Sequence, residues 1–249
     1  MTMGLNNKTA RVAGVLYLTI IIAGIFAEFV VRQSLIVPGD AAATTSNILA
    51  SEGLFRLGIA GDLIMIMSDI ALALLFYVLL KPVSPALSLL AAFFRLGQAA
   101  ILGLNLLNLF FVLQLLSGAD YLTIFSADQL DALVLFFLNG HSLGYSIGLI
   151  LFGLSLLVLG YLIFKSGYLP QILGGLLIFA ALAYLVDSFA GLLWPNYATY
   201  ETMFALVVFL PAFIGELSMA VWLLLKGVAV PEQADRIALK TPQAKAVEA

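Results

Sequence analysis

Long apolar stretches recur along the chain, separated by short stretches that carry Pro, Gly, Asp or Asn, such as VPGDAAATTSN and SGADYLTIFSADQLD. A spanning helix needs about 20 mostly apolar residues. Six stretches qualify: residues 12–31, 56–80, 86–116, 141–164, 170–193 and 203–225. The third exceeds the length of one span, which predicts tilt or an extension past the membrane surface. The pattern predicts an all-α bundle of six transmembrane helices over residues 1–227.

Composition agrees with a protein that lies in a lipid bilayer. Hydrophobic residues make up 63% of the chain and charged residues 10%, whereas about a quarter of the residues in a soluble domain are charged. The mean hydropathy is +1.13. Only the last stretch, residues 228–249, is polar throughout, and we expect it to form a disordered cytoplasmic tail.

Several functional classes are disfavoured by the residue inventory. The net charge is −3 and the cationic residues are scattered, which does not favour a nucleic-acid partner. The absence of cysteine and the single histidine exclude thiolate and multi-histidine metal sites within one chain. No lysine lies at mid-membrane for a retinal Schiff base, and no glycine-rich phosphate loop follows a strand. The sequence therefore predicts no metal and no classical cofactor.

Lysine and arginine are concentrated in the flanks of alternate loops, as expected for cytoplasmic segments. These flanking cations are Lys8, Arg11, Lys81, Lys165, Lys226, Arg236, Lys240 and Lys245. The intervening loops are mostly acidic; Arg32 and Arg56, assigned to the first outer loop, are accompanied by Asp40 and Glu52. We expect both termini in the cytoplasm and a multi-pass protein of the inner (cell) membrane.

Ionisable side chains also fall inside the predicted spans, where charges are costly and normally pair within the bundle. At about 1.5 Å of rise per residue, they form two layers. The layer nearer the cytoplasm contains Asp69, Arg95, Gln98, Asn105 and Glu216. The layer nearer the outer face contains Glu28, Arg56, Asp62, His141 and Asp187.

Helical phase and turn length favour one contact within these layers. Asp62 and Asp69 are seven residues apart, so they lie nearly on one face of the second span. The short turn at residues 81–85 makes the second and third spans antiparallel neighbours. We predict an ion pair between Asp69 and Arg95, whose planar fork can hold two carboxylate oxygens, with Glu216 as a candidate second partner.

The second layer contains the only histidine, and two interpretations of it stay open. An imidazole beside Asp187 can relay protons, whereas a lone histidine at a helix start is more often an interfacial residue. The nearby string GYSIG, residues 144–148, matches the G-x-S-x-G motif of serine hydrolases. That motif requires a strained strand-to-helix turn, and here it falls within a helix, which argues against hydrolysis.

Five strings connect the chain to a known family: ARVAGVLYL, GDLIMIMSDIALALLFYVLL, FFRLGQAAILGLNLL, GYLIFKSGYLPQILGGLL and GELSMAVWLLLKG. In this order they resemble the bacterial membrane family catalogued as domain of unknown function 4386. The resemblance covers nearly all of the chain up to Gly227. It implies an integral membrane protein of six helices and brings no activity, ligand or catalytic residue.

Three functional hypotheses follow from the buried charges. The first is a binding or transport-like module for a small molecule or an ion. The second is a membrane scaffold or partner subunit, in which paired charges only fix the packing of helices. An intramembrane enzyme that uses Asp, Glu and His is the third. A water-accessible cavity would favour the first hypothesis, and tightly paired charges without a cavity the second; the sequence does not predict an oligomeric state.

Overall fold

The computed structural model describes residues 6–229, so most of the predicted tail, residues 230–249, lies outside the described residues. Within residues 6–229 there are no strands, and seven helices, which we number α1 to α7, follow one another along the chain. They are α1 (Asn7–Leu35), α2 (Ala41–Ala50), α3 (Glu52–Leu80), α4 (Pro85–Leu115), α5 (Ala127–Ser166), α6 (Gln171–Leu193) and α7 (Tyr197–Leu225).

All of these helices except α2 are long and apolar enough to cross a membrane, in α7 over Thr202–Leu225. The predicted all-α fold with six spanning segments is therefore confirmed. Local signals set the helix starts. Asn6 caps α1 by accepting from Thr9 N at 2.8 Å, and Ser84 caps α4 with Pro85 in its first turn. The side chains of Asn6 and Ser84 pair with backbone N–H groups that a helix start leaves without a partner. Pro85 has no N–H group and therefore leaves none unpaired.

Two stretches predicted as breaks between spans contain helix. Asp40 accepts from Ala43 N at 2.9 Å and starts α2 inside VPGDAAATTSN. Ser126 and Gln129 form a capping box that starts α5 inside SGADYLTIFSADQLD. Polar residues there were interpreted as loop, although they supply the side-chain oxygens that cap helices.

The longest helix is α5 rather than the third predicted span. It has 40 residues, or about 60 Å at the usual helical rise, which is about twice the thickness of the hydrocarbon core. Its extension packs against α2. The third predicted span corresponds to α4, which has 31 residues and is also longer than one span requires; its tilt or extension stays a prediction.

The six long helices form a closed ring in the order α1, α3, α4, α5, α6, α7, and α7 packs back against α1. The described chain ends meet where Val228 N donates to Asn7 Oδ1 at 2.9 Å. Both ends therefore lie on one face of the bundle, called here the termini face. The connection between α1 and α2 lies on the opposite face, called here the loop face. The ring gives every long helix a side directed at a shared interior.

Candidate functional site

Arg95 lies in the interior of the ring and makes the predicted contact. Its Nε donates to Asp69 Oδ1 at 2.5 Å, and the two residues are only 1% and 3% exposed. The antiparallel packing of α3 and α4 brings them together, as the short turn between these helices indicated. The predicted ion pair between Asp69 and Arg95 is confirmed.

The geometry of the pair differs from the predicted fork. Asp69 accepts only one hydrogen bond from Arg95, and Nη1, Nη2 and Asp69 Oδ2 have no hydrogen-bond partner in the protein. Three aromatic rings surround the guanidinium instead. The ring centroids of Tyr17, Phe76 and Phe152 lie 5.5, 5.7 and 5.0 Å from Arg95 Cζ. Cation–π attraction thus accompanies one charged hydrogen bond.

Glu216 lies near this pair but its direct partner is a tyrosine. Tyr184 Oη donates to Glu216 Oε1 at 2.8 Å, and Glu216 also interacts electrostatically with Arg95, Asp69 and Tyr17. Each long helix of the ring supplies at least one side chain to this group. We call it the Arg95 cluster: Tyr17, Asp69, Phe76, Arg95, Phe152, Tyr184 and Glu216.

Gln98 and Asn105, which were assigned to the same layer, behave differently from the Arg95 cluster. Both are buried on α4. Gln98 Oε1 has no hydrogen-bond partner in the protein. Asn105 lies ten residues beyond Arg95, about 15 Å along the helix, and donates to His141 O at 2.8 Å. Asn105, which was assigned to the layer of Arg95, therefore contacts a residue of the predicted outer layer.

A second group of charges joins α1 and α3 and contains Arg32, which was predicted to lie in the first outer loop. Arg32 Nη1 donates to Asp62 Oδ2 at 2.6 Å, and Arg32 Nε donates to Glu28 Oε2 at 2.7 Å. Arg32 is 7% exposed and Asp62 is 1% exposed. We call these three residues the Arg32 cluster. The spacing of four residues between Glu28 and Arg32 was the signal that both lie on one helix.

The Arg32 cluster depends on a local change in helical geometry. Phe26–Arg32 of α1 is a π-helix, between α-helical Asn7–Ile25 and Gln33–Leu35. Such insertions are rare and are frequent at functional sites. The predicted span ended at residue 31, one residue before this arginine, because the apolar run ended there.

Two members of the predicted outer layer lie elsewhere. Arg56 does not reach the Arg32 cluster but pairs with Glu52 at 2.7 Å, with both side chains about half exposed. Like Arg32, it belongs to a helix and not to a loop. Asp187 accepts from Tyr197 at 2.7 Å, whereas the hydrogen bonds of His141 are to Asn105. The structure therefore gives no support to a pairing of His141 with Asp187.

A cavity of about 750 Å³ opens beside the Arg32 cluster on the loop face; it is called here the Arg32 cavity. Its walls come from α1, the connection after α1, and the extended part of α5. The lining residues are Glu28, Arg32, Gln33, Ile36, Pro38, Gly39, Leu135, Asn139, His141, Ser142 and Tyr145. Asp69, Arg95 and Glu216 are not among them.

His141 lines the Arg32 cavity, and its ring is held by contacts with Asn105. Asn105 Nδ2 lies 2.8 Å from His141 O and 3.1 Å from His141 Nδ1. Nδ1 also lies 3.5 Å from Asn105 O, to which it could only donate. The contact with the amide nitrogen, which only donates, is the shorter one, so we assign Nδ1 as the acceptor and the hydrogen of the neutral ring to Nε2. Asn108 donates to Asn105 Oδ1 at 3.0 Å, which fixes that orientation of the amide. Nε2 is buried and has no hydrogen-bond partner in the protein.

The described residues around this cavity do not favour a metal site or a serine nucleophile. No three side chains of His, Cys, Asp or Glu within residues 6–229 are placed to hold a metal ion. Ser146, the serine of GYSIG, lies inside α5 and donates to Ser142 O at 3.2 Å. It therefore lacks the exposed turn that a serine nucleophile requires.

Residues 12–227 match the family described as Domain of unknown function (DUF4386). The chain belongs to this family. An uncharacterized protein of Archaeoglobus fulgidus is 33% identical over 174 residues, which cover 70% of this chain and 86% of that protein. No solved structure matches the chain. Membership in DUF4386 confirms the resemblance. Neither match assigns an activity, so function is inferred from the two clusters and the cavity.

Proposed function

We propose that this protein binds a small organic cation in the Arg32 cavity and acts as a transport-like module of the inner (cell) membrane. The observation that carries the proposal is the Arg32 cavity itself, whose wall combines a buried ion cluster with an unpartnered N–H group of His141. A volume of about 750 Å³ lies within the range of roughly 300 to 1,000 Å³ that is usual for small-molecule pockets.

The sign of the ligand's charge follows from the composition of the Arg32 cluster. Arg32 supplies one positive charge, while Glu28 and Asp62 supply two negative charges when ionised. Glu28 is about half exposed, so its carboxylate can meet a ligand without displacing Arg32. A ligand with one positive charge would neutralise the group, and neutralisation is strongly favoured where the dielectric constant is low.

His141 adds a second requirement. Its Nε2–H is a donor, so the ligand should present an acceptor oxygen near its positive charge. Amino alcohols and choline combine these two features on a small frame, and both fit among the apolar side chains of Ile36 and Leu135 that share the cavity wall.

A binding measurement on purified protein tests this proposal. We expect choline or ethanolamine to bind in isothermal titration calorimetry, and sodium acetate at the same ionic strength to produce no binding heat. Glu28→Gln should weaken binding about tenfold, because it removes one charged contact worth roughly 1.5 kcal/mol. Glu52→Gln is the matched control: this carboxylate lies on the same face but pairs with exposed Arg56, so affinity should not change.

Equal binding of the anionic and cationic probes would contradict the assigned charge. An unchanged affinity in Glu28→Gln would place any bound cation outside the Arg32 cavity. If neither choline nor ethanolamine binds, the proposed ligand class is wrong.

A scaffold role has one observation in its favour, which concerns the Arg95 cluster. Asp69 and Arg95 are paired among aromatic rings and do not line the Arg32 cavity. This is the arrangement expected of charges that fix the register of neighbouring helices. We therefore assign the pair of Asp69 and Arg95 to helix packing and the Arg32 cluster to ligand binding.

The proposal requires the loop face to be the outer face, with both termini cytoplasmic. Reporter fusions after Lys81, after Lys165 and at the C-terminus should give a cytoplasmic signal, and fusions near Asp40 and Asp128 an external one, because cations are enriched in the first set of segments. The signals would be read with a reporter pair active on opposite sides of the membrane. A cytoplasmic signal near Asp128 would invert the orientation.

A further inference from the structure

Three tyrosine hydroxyls lie in the part of the ring interior that contains the two charge clusters. Tyr145 lines the Arg32 cavity and interacts electrostatically with Glu28, Arg32 and Asp62. It also interacts with Glu216 of the Arg95 cluster. Its hydroxyl lies 3.9 Å from the sulfur of Met65, on α3 between Asp62 and Asp69. Tyr145 therefore lines the cavity and also interacts electrostatically with the interior carboxylate.

Tyr184 continues this series of hydroxyl groups. It interacts electrostatically with Tyr145 and Tyr17, and its hydroxyl donates to Glu216 at 2.8 Å. The ring of Phe152 packs edge-on against Tyr184, with centroids 5.3 Å apart, and orients the phenol. Phenolic hydroxyl groups donate and accept hydrogen bonds at once, which suits them to pass protons.

Glu216 is the carboxylate that lacks a cation of its own. Arg95 is already hydrogen-bonded to Asp69, so one arginine faces two carboxylates in the Arg95 cluster. The titratable and charged groups that face Glu216 are Tyr17 from α1, Asp69 from α3, Arg95 from α4, Tyr145 from α5 and Tyr184 from α6. A single proton on Glu216 would make this buried group neutral.

We propose that Glu216 is a proton-binding site that exchanges its proton with the Arg32 cavity through Tyr145 and Tyr184. In the loading direction, Tyr184 gives its hydroxyl proton to the carboxylate of Glu216 and receives one from the hydroxyl of Tyr145. Tyr145 receives a proton from a hydronium ion in the cavity, which leaves water there. Both tyrosines end unchanged, and one proton has moved from the cavity to Glu216.

This inference goes beyond ligand binding and needs only that water enters the Arg32 cavity. The proton site also bears on transport. A cation in the cavity would neutralise the Arg32 cluster, and a proton on Glu216 would neutralise the neighbouring Arg95 cluster. Coupling between these two sites is a difference in free energy that works in both directions.

Infrared difference spectroscopy tests the proton site directly. The carbonyl band of a protonated carboxylic acid is recorded on proteoliposomes at several pH values and after exchange into D₂O. We expect a band that titrates with pH in the wild type and is missing in Glu216→Gln, an isosteric change that keeps an acceptor for Tyr184. Glu52→Gln, at an exposed carboxylate, should leave this band unchanged.

The relay is tested by the rate of deuterium exchange at the same band. Tyr145→Phe and Tyr184→Phe should keep the band but slow its exchange about tenfold, as expected when one hydrogen-bonding group is removed from a transfer path. Tyr161→Phe is the matched control, because Tyr161 is half exposed on the same helix as Tyr145 and lines neither the Arg32 cavity nor the Arg95 cluster.

Two results would overturn the inference. A titrating band that persists in Glu216→Gln would assign the proton to another carboxyl group. Exchange as fast in Tyr145→Phe and Tyr184→Phe as in wild type, or equally slow in Tyr161→Phe, would exclude the tyrosine path. These spectra contain no added ligand, so failure of choline to bind would not affect them, and loss of the band would not bear on choline binding.

Discussion

Arg95→Ala and Asp69→Ala should each destabilise the protein by about 3 to 5 kcal/mol, the usual cost of removing one partner from a buried ion pair. Arg95→Ala leaves two buried carboxylates, Asp69 and Glu216, without a cation, and Asp69→Ala removes the hydrogen-bonded partner of an arginine that is almost completely inaccessible. The double replacement should cost less than the sum of the two single changes, because it removes the pair as a unit and leaves only Glu216, which one proton can neutralise. Unfolding in mixed micelles with increasing SDS would measure all three free energies.

Arg56→Ala provides the matched control for this cycle. Arg56 and Glu52 also form an ion pair at 2.7 Å, but with about half of each side chain exposed, and such pairs contribute roughly 0 to 1 kcal/mol. Arg95→Lys should also destabilise, because an ammonium lacks the flat face that lies among Tyr17, Phe76 and Phe152. Wild-type stability in both Arg95→Ala and Asp69→Ala, with no coupling between them, would exclude a buried pair.

Gly174→Ala should destabilise the contact between α5 and α6 by about 1 to 3 kcal/mol, the usual range for overpacking. A Cβ atom on Gly174 would lie 2.6 Å from Gly160 O and 2.8 Å from Phe164 N. Both neighbours are backbone atoms of α5, so a side-chain rotation cannot relieve the clash. The same SDS unfolding measurement reports the change.

The next residue supplies the control for Gly174. A Cβ atom on Gly175 would meet no atom within 4 Å, and alanine is favoured over glycine in a helix by about 0.5 to 1 kcal/mol. Gly175→Ala should therefore leave stability unchanged or raise it slightly. Equal destabilisation by Gly174→Ala and Gly175→Ala would contradict the close approach of α5 and α6.

The sequence predicted features that depend on the length and period of apolar runs. Six spans follow from the length of each apolar run, and the contact of Asp69 with Arg95 follows from helix phase and a short turn. The sequence did not predict features that depend on a local departure from α-helical geometry. A π-helix brings Arg32 into the bundle, and no apolar period indicates where one extra residue enters a helical turn.

The candidate site also depends on segments that the hydropathy pattern does not distinguish from loops. The Arg32 cavity needs the connection after α1 and the part of α5 that precedes the predicted fourth span. Its lining residues Pro38 and Gly39 were assigned to a break between spans, and Leu135 and Asn139 lie before the predicted start of the fourth span. Polar capping residues start helices in these stretches, so polarity alone does not mark them as loops.

The aromatic rings around Arg95 are a third feature that the sequence did not predict. Tyr17, Phe76 and Phe152 lie on three different helices, and only the closed order of the ring brings them to one guanidinium. Charge pairing was predictable because opposite charges in an apolar interior must meet. The phenylalanine rings have no such requirement, since a ring without polar atoms can face lipid or the interior of the bundle.

Thiol labelling tests most directly whether the Arg32 cavity is open to the outer aqueous phase. The chain has no cysteine, so Ser142→Cys in the cavity wall and Ser155→Cys, at a residue that is 2% exposed within the same helix, each introduce one thiol. In intact cells, a membrane-impermeant maleimide should label Ser142→Cys, excess choline should protect it, and Ser155→Cys should stay unlabelled. Labelling of Ser142→Cys only after the cells are permeabilised would contradict an outward-facing binding cavity.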